Sequence, residues 1–180
     1  MDSTQTSNSS TKRGDAMKLL SIDPGNTHSA WMVYDTEAEK PVRFGILDNA
    51  TLLENILSTT PDRKFHDPVH MAIEMVASYG MSVGKEVFET VYWIGRFVQA
   101  RCPQATTRVY RREVKMHLCG CNNAKDANVR QALIDRFGPG KAKAVGTKKA
   151  PGPLYGISKD AWSALAIAVT FSDRLKKDGL

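Results

Sequence analysis

Three acidic residues stand out by where they fall in the chain. Asp23 ends the apolar run Leu19-Leu20-Ser21-Ile22, and Glu74 ends a second one, Val69-His70-Met71-Ala72-Ile73. Asp160 opens a third segment whose later turns are apolar. An acid at the tip of a buried strand is costly unless a cation meets it. In an α/β fold, ligand sites gather at strand ends. Carboxylates converging there bind hard divalent cations such as Mg²⁺ or Mn²⁺ through oxygen. Two such ions about 4 Å apart are a standard device for phosphodiester hydrolysis. Each acid alone also has a plainer reading. Asp23 before Pro24-Gly25 is good turn chemistry, and Asp160 suits the positive end of a helix. The three together are harder to dismiss, because they share the chain with a strongly basic segment.

That segment emerges from the charge distribution. The chain has 180 residues and a formal net charge of +6. Residues 17–100 hold 7 Lys/Arg against 11 Asp/Glu, whereas residues 101–160 hold 13 against 4. A segregated basic surface suggests a polyanion partner, nucleic acid first. The hydrophobic fraction of 42% and charged fraction of 24% are those of an ordinary globular chain with room for one core. No apolar run is long enough to cross a bilayer, no signal-peptide pattern opens the chain, and three cysteines make no disulfide framework. A cytoplasmic location is expected.

The elements that must position the acids follow from periodicity. Residues 1–16 are Ser/Thr/Asn-rich and are expected to form a disordered tail, leaving 17–180 as a single domain. Three strands, Lys18–Asp23, Ser29–Tyr34 and Val42–Leu47, read as an antiparallel meander with Pro24-Gly25-Asn26 as its first turn. Asn49 is expected to cap a short helix. Val69–Met75 reads as a strand buried on both faces, as a central parallel strand would be. Val83, Val87, Val91, Ile94 and Val98 mark a long helix over 83–101, and Phe88, Tyr92 and Trp93 widen its apolar surface. Thr106–Tyr110 is a fifth strand. A basic helix opens at Arg111-Arg112, another runs over 125–137, and 138–156 reads as a mobile basic loop. A last helix, with Ser158 at its N-cap, extends to about Lys177.

Other motifs fare worse. His117, Cys119 and Cys121 alternate, a spacing that fits no zinc knuckle. Gly138-Pro139-Gly140-Lys141 lacks the spacing of a phosphate loop. His28, His66, His70 and His117 have no partner legible in the sequence, and His28 reads as a solvated turn residue within reach of a substrate.

Four segments carry a family resemblance: LLSIDPGNTHSAWMVYD, MAIEMVASYGMSVGKEVFETVYWIGRF, RREVKMHLCG with AKDANVRQALIDRFG, and GISKDAWSALAIAVT. In these the chain resembles the RuvC family of Holliday junction resolvases, of the ribonuclease H-like superfamily, and more closely its phage-encoded members. The resemblance implies an α/β, ribonuclease H-like fold: a five-stranded mixed sheet flanked by helices. It implies a crossover junction endodeoxyribonuclease that uses two Mg²⁺ or Mn²⁺ ions and leaves 5′-phosphate and 3′-hydroxyl ends. A phage-encoded member would work in the cytoplasm of a bacterial host. Asp23, Glu74 and Asp160 match the family's catalytic metal ligands. Lys115 and Lys125 match basic positions near the scissile phosphate and the junction backbone, and Arg111 and Arg112 are expected to hold phosphates beside them. The helix 83–101 matches the family's dimerisation helix, implying a homodimer on four-way DNA junctions. One position departs. Three residues after Asp160 the family places a second acidic ligand, and this chain has Ser163. It shares a helical face with Asp160, but a hydroxyl is a weaker, uncharged ligand. Three other readings stand beside it: a branched-DNA-binding protein with weak or lost catalysis, which Ser163 motivates; a nucleotide-handling relative of sugar kinases and actin-like ATPases, whose duplicated domain 180 residues leave no room for; and a nuclease of flaps, forks or hybrids.

Overall fold

The computed structural model describes residues 17–58, 65, 70–78, 80, 82–102 and 105–178. The expected tail 1–16 and His66 lie outside the described residues. The strands are β1 (Lys18–Asp23), β2 (His28–Asp35), β3 (Lys40–Asp48), β4 (His70–Met75) and β5 (Ala105–Tyr110). They form a five-stranded mixed sheet in the order β3-β2-β1-β4-β5. The first three strands pair antiparallel, and β1, β4 and β5 pair parallel. The helices are α1 (Asn49–Leu57), α2 (Lys85–Arg101), α3 (Arg111–Cys119), α4 (Asp126–Phe137), α5 (Lys141–Ala144) and α6 (Ala161–Lys177).

Strand alternation sorts the core into two halves. Leu20, Ile22, Trp31, Val33, Met71 and Ile73 face one side, where they bury Leu52, Ile56, Ile94 and Phe97 of α1 and α2. Leu19, Ala30, Met32, Tyr34 and Ala72 face the other, against α3, α4 and α6. The same alternation aims the acids. Leu19, Ser21 and Asp23 share the α6 side of β1, and Ala72 and Glu74 share it on β4. The parallel register pairs Ile22 with Ile73, so Asp23 and Glu74 follow side by side.

Helix α6 is buried almost all round, because the sheet covers one face while α3 and α4 cover others. Its alanines, Ala161, Ala164, Ala166 and Ala168, let it lie close to the strands. The buried Ser21 hydroxyl donates to the Ala164 carbonyl at 2.7 Å, which pins β1 to the first turn of α6.

Three local expectations are corrected. Asp48, not Asn49, caps α1: its Oδ1 accepts from the Thr51 N–H at 3.0 Å. The cap of α6 is Asp160 rather than Ser158, because Lys159 takes a left-handed φ of 48° that a helix cannot include. The stretch 138–156 packs down, with Ala144 and Leu154 fully buried and a bridge between Gly146 and Pro151. Its spacing hid these anchors among glycines, prolines and lysines.

Candidate active site

The acids meet where β1, β4 and the start of α6 come together. The turn after Asp23 is built around Gly25, where a Cβ would stand 2.4 Å from the His28 carbonyl oxygen. Buried Asn49 braces this turn: its Nδ2 donates to the Gly25 carbonyl at 3.0 Å, and its Oδ1 accepts from the Ser29 hydroxyl at 2.6 Å. Asn49 is thus a supporting residue of the site that the sequence presents only as a capping type. His28 is exposed, and its Nδ1 bonds the hydroxyl of its neighbour Thr27 at 3.1 Å.

Asp23 is the most perturbed acid. Burial and then the nearby Glu74 push its carboxyl up to about 7, with Asp160 adding to the rise. Arg111 and a hydrogen bond with Ser163 pull the other way and do not offset it. Burial also raises Glu74, against the Arg111 charge, an Arg111 hydrogen bond and the more distant Lys115. The structure brings Asp23, Glu74, Asp160 and Ser163 into one electrostatic neighbourhood.

Arg111 is the unexpected member. It is the first residue of α3, directly after β5, and its side chain turns inward. Nη1 lies 3.4 Å from Glu74 Oε2 and 3.3 Å from Ser163 Oγ, while Nη2 donates to Asp126 Oδ1 at 2.6 Å. Burial works against its charge, but Glu74, Asp126 and Asp23 together hold its pKa above the ordinary value. Asp126, at the start of α4, was missed by sequence reasoning. Its only signal was its rarity, as one of 4 acids among residues 101–160.

Arg111, Asp126, Arg130, Lys159, Asp160 and Ser163 line a cleft of about 330 Å³ beside the acids. Arg130 stacks over Trp162 at 4.6 Å on its wall. Lys125, exposed, precedes Asp126 at the same edge, and Lys115 lies close enough to act on Glu74. Arg112 is exposed on the neighbouring groove of α3, beside Glu113, Met116 and Arg174, rather than at the acids.

A hard divalent cation fits the chemistry of this donor set. Asp23, Glu74 and Asp160 offer carboxylate oxygen and Ser163 offers a hydroxyl, and burial raises Asp23 and Glu74 despite the Arg111 charge beside them. Among the described residues, no three His, Cys, Asp or Glu side chains are gathered closely enough to hold an ion as they stand. Arg111 occupies the Glu74 side of the cluster instead.

The architecture defines a class of fold: a five-stranded mixed sheet flanked by helices, the fold seen in RuvC. The chain is similar to Thermus thermophilus RuvC, with 18% identity and a TM-score of 0.64 over 91% of this chain and 97% of that one. T. thermophilus RuvC in complex with a Holliday junction substrate superposes with a TM-score of 0.65 at 18% identity, over 90% of this chain and 96% of that one. A fowlpox virus resolvase in complex with Holliday junction DNA follows at 0.52 and 12%, over 88% and 99%. No protein-family model matches the chain. No curated protein matches it either.

Proposed function

We propose that this protein is a divalent-cation-dependent endonuclease that cuts branched DNA, four-way junctions foremost. The observation that carries the reading is the pair Asp23 and Glu74, side by side at the ends of parallel strands, with Asp23 pushed up to about 7 by burial and by Glu74. Evolution tolerates such a repulsive, buried pair where a cation or a reaction uses it. The fold supports the substrate class, since solved proteins of this fold include RuvC and a viral resolvase in complex with Holliday junction DNA.

In this reading Asp23, Glu74 and Asp160, with Ser163, hold Mg²⁺ or Mn²⁺. Such an ion supplies an activated water and charge stabilisation at the leaving oxygen. The chain's own residues do the rest. Asp23 must release its proton before it can act as a ligand. Asn49 and Gly25 keep its turn fixed. Lys115, Lys125 and Arg112 place cations along the path of the DNA backbone, so binding falls steeply with salt. The products carry 5′-phosphate and 3′-hydroxyl ends.

A second copy of the chain would pack through α2. Phe88 is 63% exposed and Tyr92 57%, and Leu57 of α1 is 57% exposed beside them. Leu57, Val91 and Tyr92 line a shallow apolar groove along this face. A two-fold dimer presents two identical sites to two opposed strands, which yields paired nicks by symmetry. Among the described residues no helix is long and apolar enough to cross a membrane. On this reading the protein works where DNA is, in the cytoplasm.

The direct test is a synthetic four-way junction incubated with the protein in Mg²⁺ and, separately, in Mn²⁺, alongside fork, flap, hybrid and linear duplex. Paired nicks in the junction are expected. Asp23→Asn should abolish them while leaving the band shift of the bound junction intact. Tight junction binding with no nicks in either metal would instead establish a branched-DNA-binding protein, the reading that Ser163 favours.

A further inference from the structure

The guanidinium of Arg111 sits where the acidic cluster is weakest. Its Nη1 reaches both Glu74 and Ser163, at 3.4 and 3.3 Å, and Ser163 is the position without a carboxylate. Its Nη2 is clamped by Asp126 at 2.6 Å. The clamp is set by two fixed backbones, since Arg111 follows β5 immediately and Asp126 opens α4. We propose that Arg111 is a resident cation that takes the place of one of two metal ions, so that the site holds a single divalent ion and Arg111 meets the scissile phosphate. This rests on the nuclease reading and deepens it.

Charge supports the assignment. Asp23, Glu74, Asp126 and Asp160, less the charges of Arg111 and Lys115, leave two formal negative charges, which one divalent ion neutralises. A second ion in contact with Glu74 would stand against a guanidinium already bonded to it. Arginine suits the role because it stays charged at any working pH and presents a rigid fork of donors to phosphate oxygens. Its five N–H groups are not exhausted by Glu74, Ser163 and Asp126. Asp126 is a positioning residue: its side chain is 76% exposed, and it holds the far end of the fork while Glu74 and Ser163 take the near end.

The experiment counts ions rather than turnovers. The full-length protein is titrated with Mn²⁺ and bound ions are measured by electron paramagnetic resonance. One ion per chain, with the spectrum of an isolated Mn²⁺, is expected. The double variant Arg111→Ala with Ser163→Asp should take up two ions with an exchange-coupled spectrum. Ser163→Asp alone, with Arg111 in place, should still take one, which keeps the test decisive where the double variant does not fold. Junction cleavage by Arg111→Ala should fall about a hundredfold at full Mn²⁺ occupancy, with Arg111→Lys recovering part of it. Two coupled ions in the unmodified protein, one ion in the folded double variant, or faster cleavage by Arg111→Ala would each overturn the proposal while leaving a metal nuclease standing. No bound Mn²⁺ at all would overturn the nuclease reading itself.

Discussion

Helix α6 carries an acidic cluster near each end, and the two are built in opposite ways. Near its C-terminus, Asp173 accepts from Arg136 twice, at 2.6 and 2.7 Å, and from His117 Nε2 at 2.7 Å. Burial alone would raise its carboxyl, but these bonds hold it below the ordinary range. Glu39 joins through Arg136 at 3.6 Å and through Lys176, so the β2–β3 turn, α3, α4 and α6 are tied together by paired charges. At the N-terminal end, Asp23 and Glu74 have Arg111 beside them and Lys115 acts on Glu74, yet both acids are pushed up instead. Burial works on both acids but harder on Asp23, which also has Glu74 and Asp160 for neighbours, whereas the bonded Arg136 and His117 outweigh it at Asp173. A satisfied acid cluster is a structural tie, and under the proposed function the unsatisfied one is where a cation binds.

That contrast predicts a separation of roles, largest in cleavage. Asp23→Asn should reduce junction nicking by about a thousandfold or more, whereas Asp173→Asn should leave it within about twofold. Comparable losses from the two substitutions would erase the distinction.

Stability should respond in the reverse order. Asp173→Ala strands Arg136 and His117 and should cost about 2 kcal/mol, read as a lower urea midpoint at unchanged slope. Asp23→Asn, measured with chelator present, removes an unfavourable buried charge and should cost nothing or raise the midpoint.

The same two residues should differ in pH dependence. Asp23 binds a proton in the folded chain up to about 7, above the unfolded range. In the metal-free protein the Asp23 contribution to stability therefore falls as pH rises from near 4 to about 7, by on the order of 1 kcal/mol per pH unit at most. The advantage of Asp23→Asn should grow over that window and level off above it. The contribution of Asp173, whose carboxyl is held low, should persist above the ordinary carboxylate range and disappear only as pH falls through its lowered value. Parallel pH profiles for the two variants would contradict the electrostatic picture at both ends.

The sequence showed one of these clusters and not the other, for physical reasons. Asp23 and Glu74 interrupt apolar runs, and an acid at the end of a buried strand is rare enough to notice. Ser163 was located because a spacing of three fixes a helical face. The sheet, with its meander and parallel strands, follows from hydrophobic period and short connections. The tie at Asp173 draws on residues 39, 117, 136, 173 and 176, whose proximity is purely tertiary, so His117 seemed to lack a partner. Arg111 was expected among phosphate-binding residues because it stands beside Arg112. Its inward turn depends on Asp126, which looked like any acid at a helix start. Asn49 was hidden by Asp48, since either residue type can cap a helix and only packing decides which one does.

The smallest effect separates free cations from tied ones. Lys125 is exposed at the cleft edge and makes no ion pair among the described residues, whereas Arg136 is bound to Asp173 and Glu39. A lysine that contacts DNA phosphate releases counterions when the complex forms, and its removal should lower the salt slope of junction binding by about one. Lys125→Ala should therefore weaken binding modestly, by less as salt rises, and equally for junctions of different sequence. Arg136→Ala deletes the same charge from α4, which Lys125 caps, but that charge is already neutralised within the protein. Its salt slope should match that of the unmodified chain. Equal slopes for all three proteins would mean that Lys125 lies off the DNA path and that the basic segment reaches the backbone elsewhere, through Lys115 and Arg112.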